Sequence, residues 1–279
     1  MNCERIDLYK EFGLERTDGC DGYLTCYVPK ANTEIKPKIR PAMIVCPGGG
    51  YAFRSEREGE PVAIRFLSKG YSAFLLEYTV NKPFPTALIE SAAAVAYIRR
   101  NAERYSVDVN HVGAIGFSAG GHLVGSLATM FGDDAIAKAL AIPAEQCRPD
   151  AVVLSYPVVT MSAATHGGTR EIITGGDVSL RDRLSVEKRV TKDSAPAFIW
   201  HTFEDDGVPV VNSLLLASAY LKCGVPFGLH IFEKGWHGLS LISDETHDDG
   251  AGDTAFASVS AWVELALDFL SDRGFKARN

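Results

Sequence analysis

The chain has 279 residues, 46% of them hydrophobic, enough to bury one sizeable α/β core. Its net charge of −7 and scattered basic residues exclude a basic footprint for nucleic acid, and the run Lys36, Lys38, Arg40 reads as a solvated loop. No stretch reaches the ~18 uninterrupted apolar residues of a membrane span, and the charged start MNCERIDLYKEFGLER lacks an apolar core of signal-peptide length, so the expected location is cytoplasmic. Six cysteines without a CxxC pair are read as reduced thiols, with Cys46 a small core residue.

In chain order, Gly22–Val28 (GYLTCYV) is predicted as an early strand. Ala42–Cys46 (AMIVC) is predicted as a strand buried on both faces, ended by Pro47 and three glycines. Glu60–Ser68 is predicted as a helix carrying Val62, Ile64, Phe66 and Leu67, with Gly70 as its stop. Tyr71–Tyr78 returns as a strand. Thr86–Arg104 has the clearest helical period, through Leu88, Ala92, Val95 and Ile98, with Arg99, Arg100 and Arg104 near the end where the dipole favours cations. A strand over Val112–Ile115, a helix over Leu123–Phe131 and strands over Ala151–Tyr156 and Ala197–Trp200 follow. The last elements are a helix near Val210–Lys222, a strand over Phe227–Phe232 and a helix over Thr254–Ser271.

This alternation implies an α/β fold over residues 1–279, a mainly parallel central sheet with helices on both faces. Residues 162–194 break the rhythm. They are polar, contain two Gly-Gly pairs and are too long for an ordinary connection. They are read as a small cap-like insertion over the C-terminal edge of the sheet, the alternative being a disordered surface loop.

Residues 113–122 read GAIGFSAGGH. A strand that turns sharply into a helix can hold one side chain above the edge of a sheet. Side chains two residues before and after the pivot would collide, and Gly116 and Gly120 remove them. Ser118 is the pivot, exposed at a helix N-terminus. Acyl transfer also needs donors for a developing oxyanion. The loop PGGGY (47–51) brings backbone N–H groups close to a substrate, and Ala119 N–H adds another. PGGGY lacks the Lys-Ser/Thr ending of a phosphate-binding P-loop.

Seven histidines compete to be the base. His111, His166 and His247 fall in polar loops. His122 lies on the helix after Ser118 and faces packing or a neighbouring loop, and His201 and His230 lie in strands. His237, in EKGWHGL directly after a strand, sits on the same sheet edge as Ser118 and is the choice. The stretch FIWHTFEDDGVPV supplies the acid after strand AFIW: Asp205 is favoured and Asp206 is the runner-up. The carboxylate would fix the His237 tautomer and leave Nε2 to take the serine proton. His247, Asp248, Asp249 and Asp253 in HDDGAGD could bind a cation, but a solvated acidic loop before a helix is the reading preferred, since acids there complement the dipole. No metal and no organic cofactor is expected.

The chain order Ser118, Asp205, His237 is that of the α/β-hydrolase arrangement. GFSAGGHL, PGGGY with the following YAFRSEREGEPVAIRFLSKGYSAFLLEY, HTFEDDGVPV and GWHGL together resemble the α/β-hydrolase esterases. More narrowly, they resemble the acetylxylan esterase-like or sugar-ester hydrolase group, near the hormone-sensitive-lipase and prolyl-oligopeptidase branches. The resemblance covers roughly residues 40 to 270. It implies Ser118 as nucleophile, Asp205 as acid, His237 as base, and Gly49, Gly50 and Ala119 as oxyanion donors. Pro47 stands where the lipase-like HGGG pattern has histidine, which removes one side chain and one donor at the loop's start. The chain has no room for the large propeller usual in prolyl-oligopeptidase relatives. Tyr51, Phe53 and Arg54 are expected at the pocket wall. The resemblance implies a serine carboxylesterase acting on a small-molecule ester, with acetylated sugars or xylo-oligosaccharides in front and no nucleic-acid or membrane partner. Acyl transfer or amide cleavage on the same residues is the alternative, and a non-catalytic small-ligand receptor is a third reading.

Overall fold

Among the described residues, eight strands form one sheet: β1 (Asn2–Asp7), β2 (Tyr23–Val28), β3 (Arg40–Cys46), β4 (Ser72–Glu77), β5 (Val107–Phe117), β6 (Ala151–Ser155), β7 (Ala197–Thr202) and β8 (Phe227–Phe232). The structure is a computed structural model that describes residues 2–30, 34, 36, 38–247 and 256–278. Their order is β1-β2-β4-β3-β5-β6-β7-β8. The β1/β2 and β2/β4 pairs are antiparallel, and every later pair is parallel. Helices Thr86–Arg100, Ala119–Met130 and Val211–Cys223 pack one apolar layer. Helices Glu60–Ser68 and Trp262–Ser271 pack the other. This is the expected mainly parallel sheet with helices on both faces.

The central strands are buried on both faces, which is why they read as unbroken apolar runs: Ala42, Met43, Ile44 and Val45 are all at most 1% exposed. The direction of winding reverses at β3. The chain goes from β3 to β4 on one side, then crosses back to β5 on the other. A crevice at such a reversal, outside the carboxyl ends of the strands, is the usual ligand position in open α/β sheets. It is here that the glycine loop after β3 faces Ser118 after β5.

Three elements differ from expectation. Strand β1 and the helix Leu8–Phe12 arise from the charged N-terminus, where no strand was predicted. An edge strand buries only part of its side chains, so its sequence need carry no apolar run. Strand β5 begins at Val107 rather than Val112, because Val107 pairs with Arg40 of β3 ahead of a register shift that takes in the polar residues before Val112. The long helix ends at Arg100, and a separate turn, Ala102–Tyr105, follows. Asn101 Nδ2 donates to Tyr97 O at 2.9 Å and so satisfies a carbonyl of the last turn.

Residues 162–194 hold two helices, Gly167–Thr174 and Leu180–Leu184. Ile173, Leu184 and Val186 bury against the main core, so this segment is anchored rather than loose. The predicted start of the last helix at Thr254, and Asp248, Asp249 and Asp253, lie outside the described residues. His247 donates Nε2–H to Leu239 O at 2.7 Å.

Candidate active site

Ser118 takes φ 51° and ψ −117°, a backbone region rarely used by residues with a side chain. The strain is held by main-chain bonds on both sides: Ser118 N–H donates to Ser155 O at 3.0 Å, and His122 and Val158 N–H groups donate to Ser118 O. The flanking glycines are sterically required. A Cβ on Gly116 would lie 2.1 Å from Gly120 O, and one on Gly120 would lie 2.1 Å from Cys46 O. The helix therefore starts at Ala119, four residues earlier than its apolar period suggests. It accepts two glycines in its first turn, at about 1 kcal/mol each relative to alanine.

Three loops converge on this serine. Ser118 follows β5, Asp205 follows β7 and His237 follows β8. His237 Nε2 is 2.8 Å from Ser118 Oγ. Its Nδ1 is 2.7 Å from Asp205 Oδ2. With Nδ1–H donating to the carboxylate, Nε2 is left to accept from the hydroxyl. The Asp205 side chain is fully buried, while that of His237 is a quarter exposed. Asp206 is exposed and Glu204 pairs with Lys234, so of the three consecutive acids Asp205 is the one the structure brings to the imidazole.

Asp205 accepts more than one hydrogen bond. Val208 N–H donates to Oδ1 at 2.8 Å. His201 Nε2 lies 3.2 Å from Oδ2 and 2.9 Å from Val208 O, both acceptors, so this nitrogen carries a proton. Burial alone would push the carboxyl up. The bonds from His201 and His237, the charge of His237 and the Val208 N–H outweigh it and hold Asp205 well below the usual carboxylate range. A depressed folded-state value stabilises the protein above the ordinary unfolded value of ~3.9, and that stability is lost as pH falls through the folded value. Thermal unfolding midpoints of wild type and Asp205→Asn should therefore draw together as pH falls below about 4. Curves that stay parallel to pH 3 would contradict this assignment.

The glycine loop after β3 lies alongside. Gly49 and Gly50 have φ of 115° and 65°, and a Cβ on Gly49 would lie 2.2 Å from Phe53 O. Gly48 N–H is already used, donating to Glu58 Oε2 at 2.8 Å. Among the described residues, no acceptor is paired with the N–H groups of Gly49, Gly50 or Ala119.

The three residues expected at the pocket wall divide. Phe53 is 60% exposed next to the glycine loop. Tyr51, in contrast, turns inward: it is 1% exposed and donates its hydroxyl to His122 Nδ1 at 3.0 Å. His122 in turn donates Nε2–H to Leu184 O at 2.8 Å. Burial pushes its imidazole down to about 4, despite the Leu184 carbonyl, so it bridges loop, helix and insertion as a neutral ring. Arg54 is engaged by Asp21 and by Tyr78 O, both at 2.7 Å. Tyr51 and Arg54 are thus framework residues of the loop, because their polar ends find internal partners.

Four residues near the site were not singled out from the sequence. His201, expected only as a strand residue, touches Asp205; its i, i+4 spacing in HTFED is the signal available. His166 caps the helix Gly167–Thr174, with Thr169 N–H donating to its Nδ1 at 3.2 Å. A Cβ on Gly50 would lie 3.3 Å from His166 Cε1, so the insertion delivers this ring to the glycine loop. Partial desolvation and the nearby His237 hold it below the ordinary imidazole value. Glu58 and Tyr156 are both buried beneath the site, and no local pattern announces them.

The BD-FAE family model matches residues 24–220, a span that includes Ser118 and Asp205. The chain belongs to the BD-FAE family. This is the α/β-hydrolase esterase group, acetylxylan esterase-like, that the motifs resemble. The BD-FAE chain is 36% identical over 256 residues to endo-1,4-beta-xylanase B of Butyrivibrio fibrisolvens, covering 89% of this chain but 39% of that protein. It spans under half the length of the curated relatives it matches. Among solved structures, it is similar to the acetyl ester-xyloside bifunctional hydrolase of Caldicellulosiruptor lactoaceticus, at 34% identity and TM-score 0.81, over 98% of this chain and 97% of that one. It is also similar to the carboxylesterase Cest-2923 of Lactobacillus plantarum WCFS1, at 30% identity and TM-score 0.85, over the full length of both. Beyond residue 220, where the family model stops, the BD-FAE chain still supplies His237 to the cluster.

Proposed function

We propose that this protein is a serine carboxylesterase that hydrolyses short acyl esters through an acyl-enzyme, acetylated sugars or xylo-oligosaccharides foremost. The observation that carries the reading is the hydrogen-bonded chain Ser118–His237–Asp205 beside three unpaired backbone donors. Ser118 Oγ attacks the ester carbonyl carbon while its proton passes to His237 Nε2. Charge develops on the carbonyl oxygen, and the N–H groups of Gly49, Gly50 and Ala119 receive it. Asp205 holds the imidazole in the required tautomer and faces the imidazolium that forms. His237 then gives the proton to the departing alcohol oxygen as the C–O bond breaks. Water oxygen then bonds to the acyl carbon as His237 takes its proton, the acyl–Ser118 bond breaks to release the acid, and His237 returns the proton to Ser118 Oγ.

The xylan- and xyloside-related names of two relatives support acetyl groups on xylo-oligosaccharides as substrates. The test is a panel of p-nitrophenyl esters of rising acyl length beside acetylated xylo-oligosaccharides. Acetate should be released from the saccharides, and kcat/KM should fall at least about tenfold from acetyl to octanoyl esters. A preference for the long chains, with acetylated saccharides untouched, would overturn the substrate assignment.

A further inference from the structure

Glu58 is a carboxylate with no place in the proton relay, yet it is 2% exposed and lies directly beneath it. It ends the turn Glu56–Glu58, which is wedged between two loops of the site. On one side, Glu58 Oε2 accepts Gly48 N–H at 2.8 Å, and Ser55 N–H donates to Gly48 O at 3.1 Å. On the other, Ser240 Oγ donates to Arg57 O at 2.6 Å, and a Cβ on Gly238 would lie 2.6 Å from the Arg57 guanidinium. The second carboxylate oxygen completes the link. Tyr156 O–H donates to Glu58 Oε1 at 2.7 Å, and the same phenol oxygen accepts Ser240 N–H at 2.9 Å. The Tyr156 ring also meets His237 edge-on, with centroids 5.1 Å apart.

The hydrogen-bond directions favour a carboxylate over an amide at this position. Gly48 N–H can only donate. Tyr156 already accepts from Ser240, so its own proton points at Glu58. Two donors converging on two oxygens are matched by a carboxylate and by no neutral isostere. Burial holds the carboxyl of Glu58 above its ordinary value, although the bonds from Tyr156 and Gly48 and the charges of His237 and Arg57 offset part of that rise.

We propose that Glu58 is a positioning residue that sets the oxyanion loop against the loop carrying His237. It fastens Gly48, which leaves the next two N–H groups aimed at the site, and through Tyr156 it fastens Ser240 three residues beyond the imidazole. The inference rests on the serine esterase reading above. Its role is felt only when charge develops on the carbonyl oxygen, so its loss lowers kcat rather than substrate binding.

Glu58→Gln is the direct test, because it keeps volume but offers one acceptor and turns an amide N–H₂ toward a donor. With p-nitrophenyl acetate, kcat should fall about a hundredfold with KM within about threefold of wild type. Affinity for a trifluoromethyl ketone, which forms a tetrahedral adduct on the serine, should weaken in parallel with kcat. Tyr156→Phe keeps the Gly48 bond and removes the hydroxyl that joins Glu58 to Ser240, so it should lose less, about tenfold in kcat, with the same constant KM. It also serves if Glu58→Gln does not fold. A kcat within threefold of wild type in the folded variants, or a loss confined to KM with ketone affinity unchanged, would overturn the proposal. Ser118→Ala run alongside keeps the two readings apart. If that variant retains wild-type turnover, the serine mechanism fails, whatever Glu58 does.

Discussion

Ser118→Ala yields a folded protein whose turnover of p-nitrophenyl acetate is lower by several orders of magnitude, up to about a millionfold. The size follows from what one oxygen does. In the proposed mechanism it is the atom that bonds to the carbonyl carbon, and its proton passes to His237, whose Nε2 lies 2.8 Å away. Background reaction with water beside the unpaired N–H groups is what remains. The fold should be unchanged, because the strained backbone at position 118 is held by its own N–H and C=O, not by the hydroxyl. Alanine occupies the same φ as serine at equal cost, and the Oγ makes no structural bond besides the one to His237. The check is steady-state turnover together with a thermal melt, where the midpoint should move by no more than a surface substitution would. Labelling by a fluorophosphonate should be abolished. Wild-type hydrolysis in the alanine variant would sink the assignment.

Asp205→Asn and Asp206→Asn differ by one position and should differ by about four orders of magnitude in kcat. At Asp205 three N–H groups converge on two oxygens: Val208 on Oδ1, His237 and His201 on Oδ2. An asparagine that keeps its oxygen on Val208 presents N–H₂ to two further donors. His237 can relieve that conflict by moving its proton to Nε2, which leaves it unable to accept from Ser118. Turning the amide over satisfies His237 but leaves Val208 N–H facing a donor inside a buried site. Either way the base is in the wrong tautomer or the loop is strained. Asp206 is exposed, and its replacement should leave kcat within about twofold. Equal losses in the two variants would show that the carboxylate is not the one identified by the 2.7 Å contact.

The comparison of 205 with 206 shows where sequence reading stops. The cluster EDD after an apolar strand announces an acid at the right edge of the sheet. Which of its members turns inward is fixed by the loop conformation, through Val208 N–H and the buried His201, and neither is visible in composition. Likewise Gly116 was legible because its reason is local, a clash with Gly120 four residues on, whereas the clash that requires Gly120 is with Cys46 O on the neighbouring strand. Tyr51 and Arg54 were misplaced because adjacency to the glycine loop says nothing about whether a polar tip finds Asp21, Tyr78 or His122 inside. His166 was missed for a related reason. It lies 48 residues beyond Ser118 in a segment without strong period, and only the anchoring of that segment brings its ring to Gly50.

The sequence by itself determined what depends on near neighbours: apolar runs that must be strands buried on both faces, the glycine-bracketed turn that lifts Ser118, and the order in which three functional groups leave successive strand ends. The tertiary structure alone decided which polar groups are buried together: Glu58 with Gly48 and Tyr156, His201 with Asp205, His122 with Tyr51 and Leu184. The physical reason is one of range. Steric and periodic constraints act within a few residues and leave a mark there. The desolvation of a charge, and the donors that compensate it, come from segments up to about a hundred residues apart that meet only when the sheet is assembled.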